Sequence, residues 1–326
     1  MIPSRWLAHT GPWGLYAAAR QVTRRHPRIL MYHRFNDPTG GGVNGDVLET
    51  QIAYIARHFV PLTLGKLLDY LHAGEQPPAH TLVLTVDDGH RDFLEVAYPV
   101  LQRHGVPATL FVATGFIDGE LWLWPDQVTW LLDQCRERPA TVRIAGTSLE
   151  LGNNAWQTII DHVLTLPDAH RRQAPTELAT ELESSLPAAP PMGYQPITWS
   201  ELRSLETNGI EIGGHTHTHP SLGRVPVDRL HEEIHYCRQR LDEELGPRPR
   251  PFCYPNGQPD DVTPAVRATV SGAGFTGAVV AYADEAVHND PYQLRRHSSS
   301  ADMFQFYKAS TGLEWLGRQW QRRPSL

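Results

Sequence analysis

Cysteine is scarce in this chain of 326 residues: Cys135, Cys237 and Cys253 are odd in number, far apart and without a CxxC pair. That excludes a disulfide framework and agrees with a reducing compartment. Lysine is nearly missing, with only Lys66 and Lys308, so arginine carries most of the positive charge. Basic charge is not in excess: the formal net charge of −7 argues against a nucleic-acid binder that relies on a basic surface. No uncharged apolar run approaches the roughly 18 residues of a membrane span. The start, Met1-Ile2-Pro3-Ser4-Arg5-Trp6, has no apolar signal-peptide core. A cytoplasmic location is therefore expected. The ends, Trp6–Tyr16 and Trp315–Arg323, mix Trp, Leu and Arg. They could rest on the inner face of a membrane, although packing of terminal helices on the domain is the simpler reading.

What is present reads as a soluble α/β protein, 40% apolar and 20% charged. Short apolar runs predict strands at Arg28–Tyr32, Thr81–Val86, Ala108–Ala113, Ile210–Gly214, Pro251–Tyr254 and Gly277–Ala281. Amphipathic spacing predicts helices at Asp46–His58, Leu64–His72, Asp92–His104, Pro125–Arg136, Trp199–Asn208, Pro226–Leu245 and Thr263–Gly272. Strands separated by helices of this length point to βα units and a parallel sheet or barrel. One stretch, about 118–196, breaks the rhythm with Trp-rich helical material and Ala188-Ala189-Pro190-Pro191. It reads as a helical insertion. Trp122, Trp124 and Trp130 lie within it, and at helical spacing they are read first as core.

Two segments carry chemistry. Thr85-Val86-Asp87-Asp88-Gly89 ends an apolar run with two adjacent carboxylates. His215-Thr216-His217-Thr218-His219-Pro220 follows Ile210-Glu211-Ile212. Each places possible metal ligands where a strand stops. If the fold brings them together, one Asp and two His hold a divalent metal, and the other Asp is free to act as base. Imidazole suits zinc, with Co2+, Mn2+ and Ni2+ as alternatives. Taken singly, an Asp-Asp-Gly is often a turn, and clustered His can be incidental on a loop. Together, each after a strand, they are much stronger.

The pair resembles the motifs of the polysaccharide deacetylases of carbohydrate esterase family 4, the NodB homology domain. By position, the resemblance makes Asp87 the general base and Asp88, His215 and His219 the metal ligands. Phe252-Cys253-Tyr254-Pro255-Asn256-Gly257 is similar to a branch with a Phe-x-Tyr-Pro-x-Gly third motif. There the backbone N–H at the Asn256 position helps bind the oxyanion, a role that survives the change of side chain. The arginine that usually steadies the base is replaced by Cys253, and Leu294-Arg295-Arg296 makes Arg296 the candidate substitute. For the general acid, His33 resembles the N-terminal His of circularly permuted relatives, with Asp92 or another nearby carboxylate to orient it. His297 is the late alternative, one residue off the family's Leu-x-His spacing.

The resemblance implies a distorted (β/α) barrel of about seven strands. It also implies an N-terminal extension (1–27), a catalytic domain (28–310) with the insertion, and a C-terminal tail (311–326). The insertion is expected to shape the glycan cleft or dock a partner, and its Trp122, Trp124 and Trp130 could stack on sugar rings, although core is the first reading. The implied reaction is metal-dependent hydrolysis of N-acetyl groups on an acetylated glycan, as in exopolysaccharide biosynthesis. Alternatives are a deacetylase or deformylase of a lipid-linked or nucleotide sugar, O-deacetylation, or a non-catalytic glycan-binding module. A competing motif, His231-Glu232-Glu233-Ile234-His235, fits the zinc-protease pattern. It is discounted because His231 and His235 sit at the edge of the helix's apolar stripe, among charged residues.

Overall fold

The computed structural model describes residues 13–36, 42–135, 139–283 and 290–321. Residues 6–12 and 322–323 of the two amphipathic ends, and the expected helix end at Arg136, lie outside the described residues.

The strands are β1 (Arg28–Tyr32), β2 (Val60–Leu62), β3 (Thr81–Val86), β4 (Ala108–Val112), β5 (Thr141–Ile144), β6 (Thr147–Glu150), β7 (Ile210–Gly214), β8 (Phe252–Cys253), β9 (Ala278–Val279) and β10 (His297–Ser298). Seven of them run in the order β10-β1-β3-β4-β7-β8-β9, every pairing parallel, with β2 alongside β3 as an offshoot. One segment curls the sheet towards closure: Leu294 bridges to Val279 of β9, and His297 pairs with Leu30 of β1. The result is the expected distorted (β/α) barrel.

β1, β3 and β4 are buried at every position, because both faces of a parallel sheet are covered. The period of two divides their residues. Ile29, Val83, Phe111, Cys253, Val279 and Leu294 face one side, together with Leu64, Leu67 and Leu68 of the Leu64–His72 helix. Leu30, Leu84, Leu110, Ile212, Phe252 and Ala278 face the other, against the outer helices. The helix of leucines fills one end of the interior. Its N-terminal Gly65 N–H donates to the Glu211 carboxylate, which also accepts from Thr109 Oγ1 at 2.7 Å. Gly213 has to be glycine here, since a Cβ would meet the Phe111 ring at 2.6 Å.

Three readings of the sequence need correction. The Asp92–His104 helix is split into a π-turn over Phe93–Ala97 and an α-helix over Tyr98–His104, because Pro99 has no N–H for a regular ladder. The insertion is not purely helical. Beside helices Trp124–Gln134, Ala155–Thr165 and Asp168–Glu181 it holds the β5–β6 hairpin, turned by Ala145 and Gly146 at positive φ. β2 and β10 were not expected.

The insertion has its own core, around Val128, Leu131, Val142, Ile144, Ile159 and Leu178. At its start Asp118 pairs with Arg240 at 2.7 Å and accepts from Trp199 Nε1 at 2.7 Å. At its end the Ile197 N–H donates to Gly89 O, beside the two aspartates. The terminal helices Trp13–Val22, Met303–Thr311 and Leu313–Gln321 pack on one another, with ring contacts Tyr16–Tyr307 and His26–Trp315. No described helix is long and apolar enough to cross a membrane.

Candidate metal centre

Strand parity selects the residues of the site. Val83, Thr85 and Asp87 share the interior side of β3. Continuing the parity of Ile29, Cys253 and Leu294 brings His33, Cys253 and Arg296 to the same side at the carboxyl ends of their strands. The register Met31↔Thr85 places His33 opposite Asp87. Asp88 would point away if β3 continued. Instead the strand ends, and Asp88 takes φ +79°. Thr216, His219 and Asn256 also have positive φ, so four unfavourable non-glycine conformations gather at one site.

Asp88, His215 and His219 converge. Asp88 Oδ1 lies 3.4 Å from both His215 Nε2 and His219 Nε2, and the two nitrogens are 3.2 Å apart. His215 Nδ1 lies 2.7 Å from Cys253 O, and donation to this carbonyl leaves Nε2 as a lone-pair donor. Asp88 Oδ1 is buried without a hydrogen-bond partner. An unpaired carboxylate oxygen facing two imidazole nitrogens fits a divalent cation, which needs such unprotonated donors. Burial opposes ionisation of Asp88, but the surrounding imidazoles of His215, His219, His90 and His33 hold its pKa well below the usual range. Burial and the adjacent His215 push His219 down to about 3.

Asp87 belongs to a different arrangement. Arg296 grips it with two parallel bonds, Nη1 to Oδ1 at 2.6 Å and Nη2 to Oδ2 at 2.8 Å. The guanidinium also donates to Thr85 Oγ1 at 3.1 Å and Val280 O at 3.0 Å. Its Nη2 lies 3.1 Å from Cys253 Sγ, so a small thiol at position 253 leaves room for a guanidinium arriving from position 296. Burial raises the Asp87 pKa; Arg296 and then His33 outweigh it, and the carboxyl ends below its ordinary value. Asp87, His215 and Cys253 form a second group with converging donor atoms. The Arg296 charge and a thiol raised by burial argue against a cation there.

His33 is half exposed, with Nε2 3.5 Å from Asp87 Oδ2. Asp92 does not orient it: that carboxylate accepts from Arg34 Nε at 2.7 Å and the Phe35 N–H at 3.1 Å. His297 does not enter the cavity. One position beyond Arg296, it has the opposite parity, and its Nδ1 pairs with Glu314 at 3.2 Å. Asn256 lines the cavity, and its Nδ2 is buried without a partner. His217 turns away to Thr114 and Glu120. His231 and His235 stack on an exposed helix face and join no converging donor group among the described residues.

Sequence reasoning did not single out Asp126, Thr129 or Trp156 in the wall opposite the sheet. The cavity, of about 380 Å³, is lined by His33, Asp87, Asp88, His215, His219, Asn256 and Arg296, and also by Trp124, Asp126, Thr129 and Trp156 of the insertion. His90 joins the two halves. It is buried, its Nε2 lies 2.6 Å from Asp126 Oδ2, and its Nδ1 lies 3.8 Å from Asp88 Oδ2. Burial disfavours a charge on His90, but Asp126 outweighs it and raises the pKa. Arg34 braces the same carboxylate, 3.2 Å from Asp126 Oδ1. The position of His90 next to Asp-Asp-Gly was a usable signal; Asp126 and Trp156 had none. Trp122 and Trp124 are buried and Trp130 packs on the insertion core, so these three are core residues, although Trp124 also lines the cavity.

Comparison with known proteins bears on the family and the fold. The sequence profile described as polysaccharide deacetylase matches residues 74–278. No curated protein matches the chain. Among solved structures it is similar to the deacetylase PplD of Streptococcus pyogenes (18% identity, TM-score 0.58, covering 90% of this chain and 97% of that one). IcaB of Ammonifex degensii gives 17% identity and a TM-score of 0.59, covering 88% and 97%. A de-N-acetylase from Aggregatibacter actinomycetemcomitans gives 14% identity and a TM-score of 0.55, covering 86% and 99%. At these identities the structures establish a shared fold.

Proposed function

This chain belongs to the polysaccharide deacetylase family of hydrolases, and from that premise we propose that it removes N-acetyl groups from amino sugars of a poly- or oligosaccharide. The reaction adds water across the amide C–N bond and releases acetate and a free amine. The observation that carries this reading is the division of two adjacent carboxylates within one cavity. Asp88 faces two imidazole nitrogens, while Asp87 is clamped by a guanidinium.

A divalent cation held by Asp88, His215 and His219 would supply Lewis acidity at the acetyl carbonyl and make water easier to deprotonate. Asp87 accepts the proton of the attacking water. Its low pKa keeps it ionised at neutral pH, and Arg296 fixes both oxygens, so little reorganisation accompanies the transfer. The Asn256 backbone N–H donates to the oxygen that becomes negative as the carbonyl carbon turns tetrahedral. His33 delivers a proton to the departing nitrogen; its half-exposed ring stands at the cavity mouth beside Asp87. Removing Asp87 as base while keeping its shape isolates the chemistry. Asp87→Asn is expected to retain zinc and to release acetate from N-acetylated oligosaccharides about 10²–10⁴-fold more slowly. If zinc-loaded wild type releases no acetate from any acetylated sugar, the reading fails and a glycan-binding module takes its place.

A further inference from the structure

Trp156 has no part in the chemistry above, yet it is 41% exposed and lines the catalytic cavity. A large aromatic left open at a cavity wall forgoes burial that a purely structural tryptophan would take. Its ring is also held in place. Trp156 Nε1 donates to Thr129 Oγ1 at 2.9 Å, which ties the Ala155–Thr165 helix to the Trp124–Gln134 helix and fixes the indole plane. The polar end is thereby used, and an apolar face is left open.

The wall around it is otherwise polar: Thr129, Asp126, Arg34 and Asn256 line the same cavity. A fixed aromatic face beside polar groups in one cavity matches a pyranose ring, which presents C–H groups on its face and hydroxyls at its rim.

We infer that the insertion builds a sugar subsite of the catalytic cavity, with Trp156 as the platform for a pyranose ring of the substrate. This rests on the deacetylase reading for its substrate class, but not for its physical basis. The sheet supplies the groups that break the bond; the insertion supplies the surface that recognises the glycan.

The test measures binding and turnover separately. Zinc-loaded protein carrying Asp87→Asn is titrated calorimetrically with β-1,4- and β-1,6-linked N-acetylglucosamine pentamers, with Trp156 intact or changed to Ala, Leu or Phe. Trp156→Ala and Trp156→Leu are expected to weaken binding roughly 10-fold, and Trp156→Phe to recover most of it, because the aromatic face is what matters. In the otherwise native enzyme, Trp156→Ala is expected to raise KM by a similar factor with little change in kcat. Zinc content and hydrolysis of a small non-sugar acetyl ester should be unchanged. Equal pentamer affinity with and without the indole, recovery by Leu as complete as by Phe, or no binding of either pentamer by either protein would overturn the inference. Pentamer binding that depends on Trp156, without acetate release by the wild type, would instead keep the subsite and remove the deacetylase reading.

Discussion

The cavity has two walls built on different principles. One is the carboxyl edge of the parallel sheet, where the two-residue period of each strand brings Asp87, His33, Cys253 and Arg296 to a common side. The other is the insertion, a unit with its own core that places Asp126, Trp124 and Trp156 across from them. On the sheet wall a residue's place follows from backbone register, so motifs at strand ends are readable. On the insertion wall it follows from how a small helical core docks, through Asp118–Arg240 and Arg34–Asp126, and no local pattern reports that. The proposed chemistry thus falls on the repeating part of the fold, and the proposed contact with the rest of the substrate on the irregular part.

That division can be broken by graded substitutions. The largest effect is expected from His215→Ala, which removes a donor from the sheet wall: zinc content should fall to background and activity with it. Zinc retained at one equivalent would show that the sheet wall does not hold the metal. Next comes Arg296→Met. It leaves the buried Asp87 carboxylate unpaired and should cost about 3–5 kcal/mol in urea unfolding. It should also move the acid limb of kcat/KM to higher pH. Burial alone favours the protonated acid, Arg296 reverses that, and without it the base is lost as pH falls through a raised pKa. An unmoved limb would separate Asp87 from the pH profile.

His33→Ala should lower kcat about 10²–10⁴-fold with zinc retained, while His297→Ala, outside the cavity, should change it little. The reverse result would return the acid to His297. The smallest of these effects tests the link between the walls. Asp126→Ala leaves His90 buried beside Asp88 without its counter-charge. Zinc affinity, read by chelator competition, should fall about 10–100-fold, as when a residue that orients a ligand is lost. An unchanged affinity would make the insertion a recognition surface only.

Much of the fold was legible. β1 and β3 end where the apolar runs Arg28–Tyr32 and Thr81–Val86 end, because strands buried on both faces need near-continuous apolar sequence. β7 also keeps its expected span, Ile210–Gly214, with Glu211 satisfied by the Gly65 N–H and Thr109. β2 and β10 were not legible: three and two residues are too short to carry a period. The hairpin Thr141–Glu150 carried its signals, an alternating run and Ala145-Gly146, within a stretch dominated by helical material. Asp87, Asp88, His215 and His219 could be singled out because each lies where a strand stops, and the cavity brings them together. His90 was overlooked although it follows the Asp-Asp-Gly turn, since only its distance to Asp126 reveals a connection.

The sequence by itself determined the barrel and the kinds of atom that meet at its mouth. Strand period and turn chemistry are local, and they act through residues adjacent in the chain. Spacing alone left open which carboxylate meets the imidazoles; in the tertiary structure Asp88 faces them and Asp87 meets a guanidinium, the division that the family resemblance implied. The tertiary structure also set Asp87 beside His33 while Asp92 meets Arg34, left His297 outside the cavity, and brought Trp156 to it. Each of these depends on contacts between segments far apart in sequence, where packing and charge pairing, not local propensity, fix the outcome.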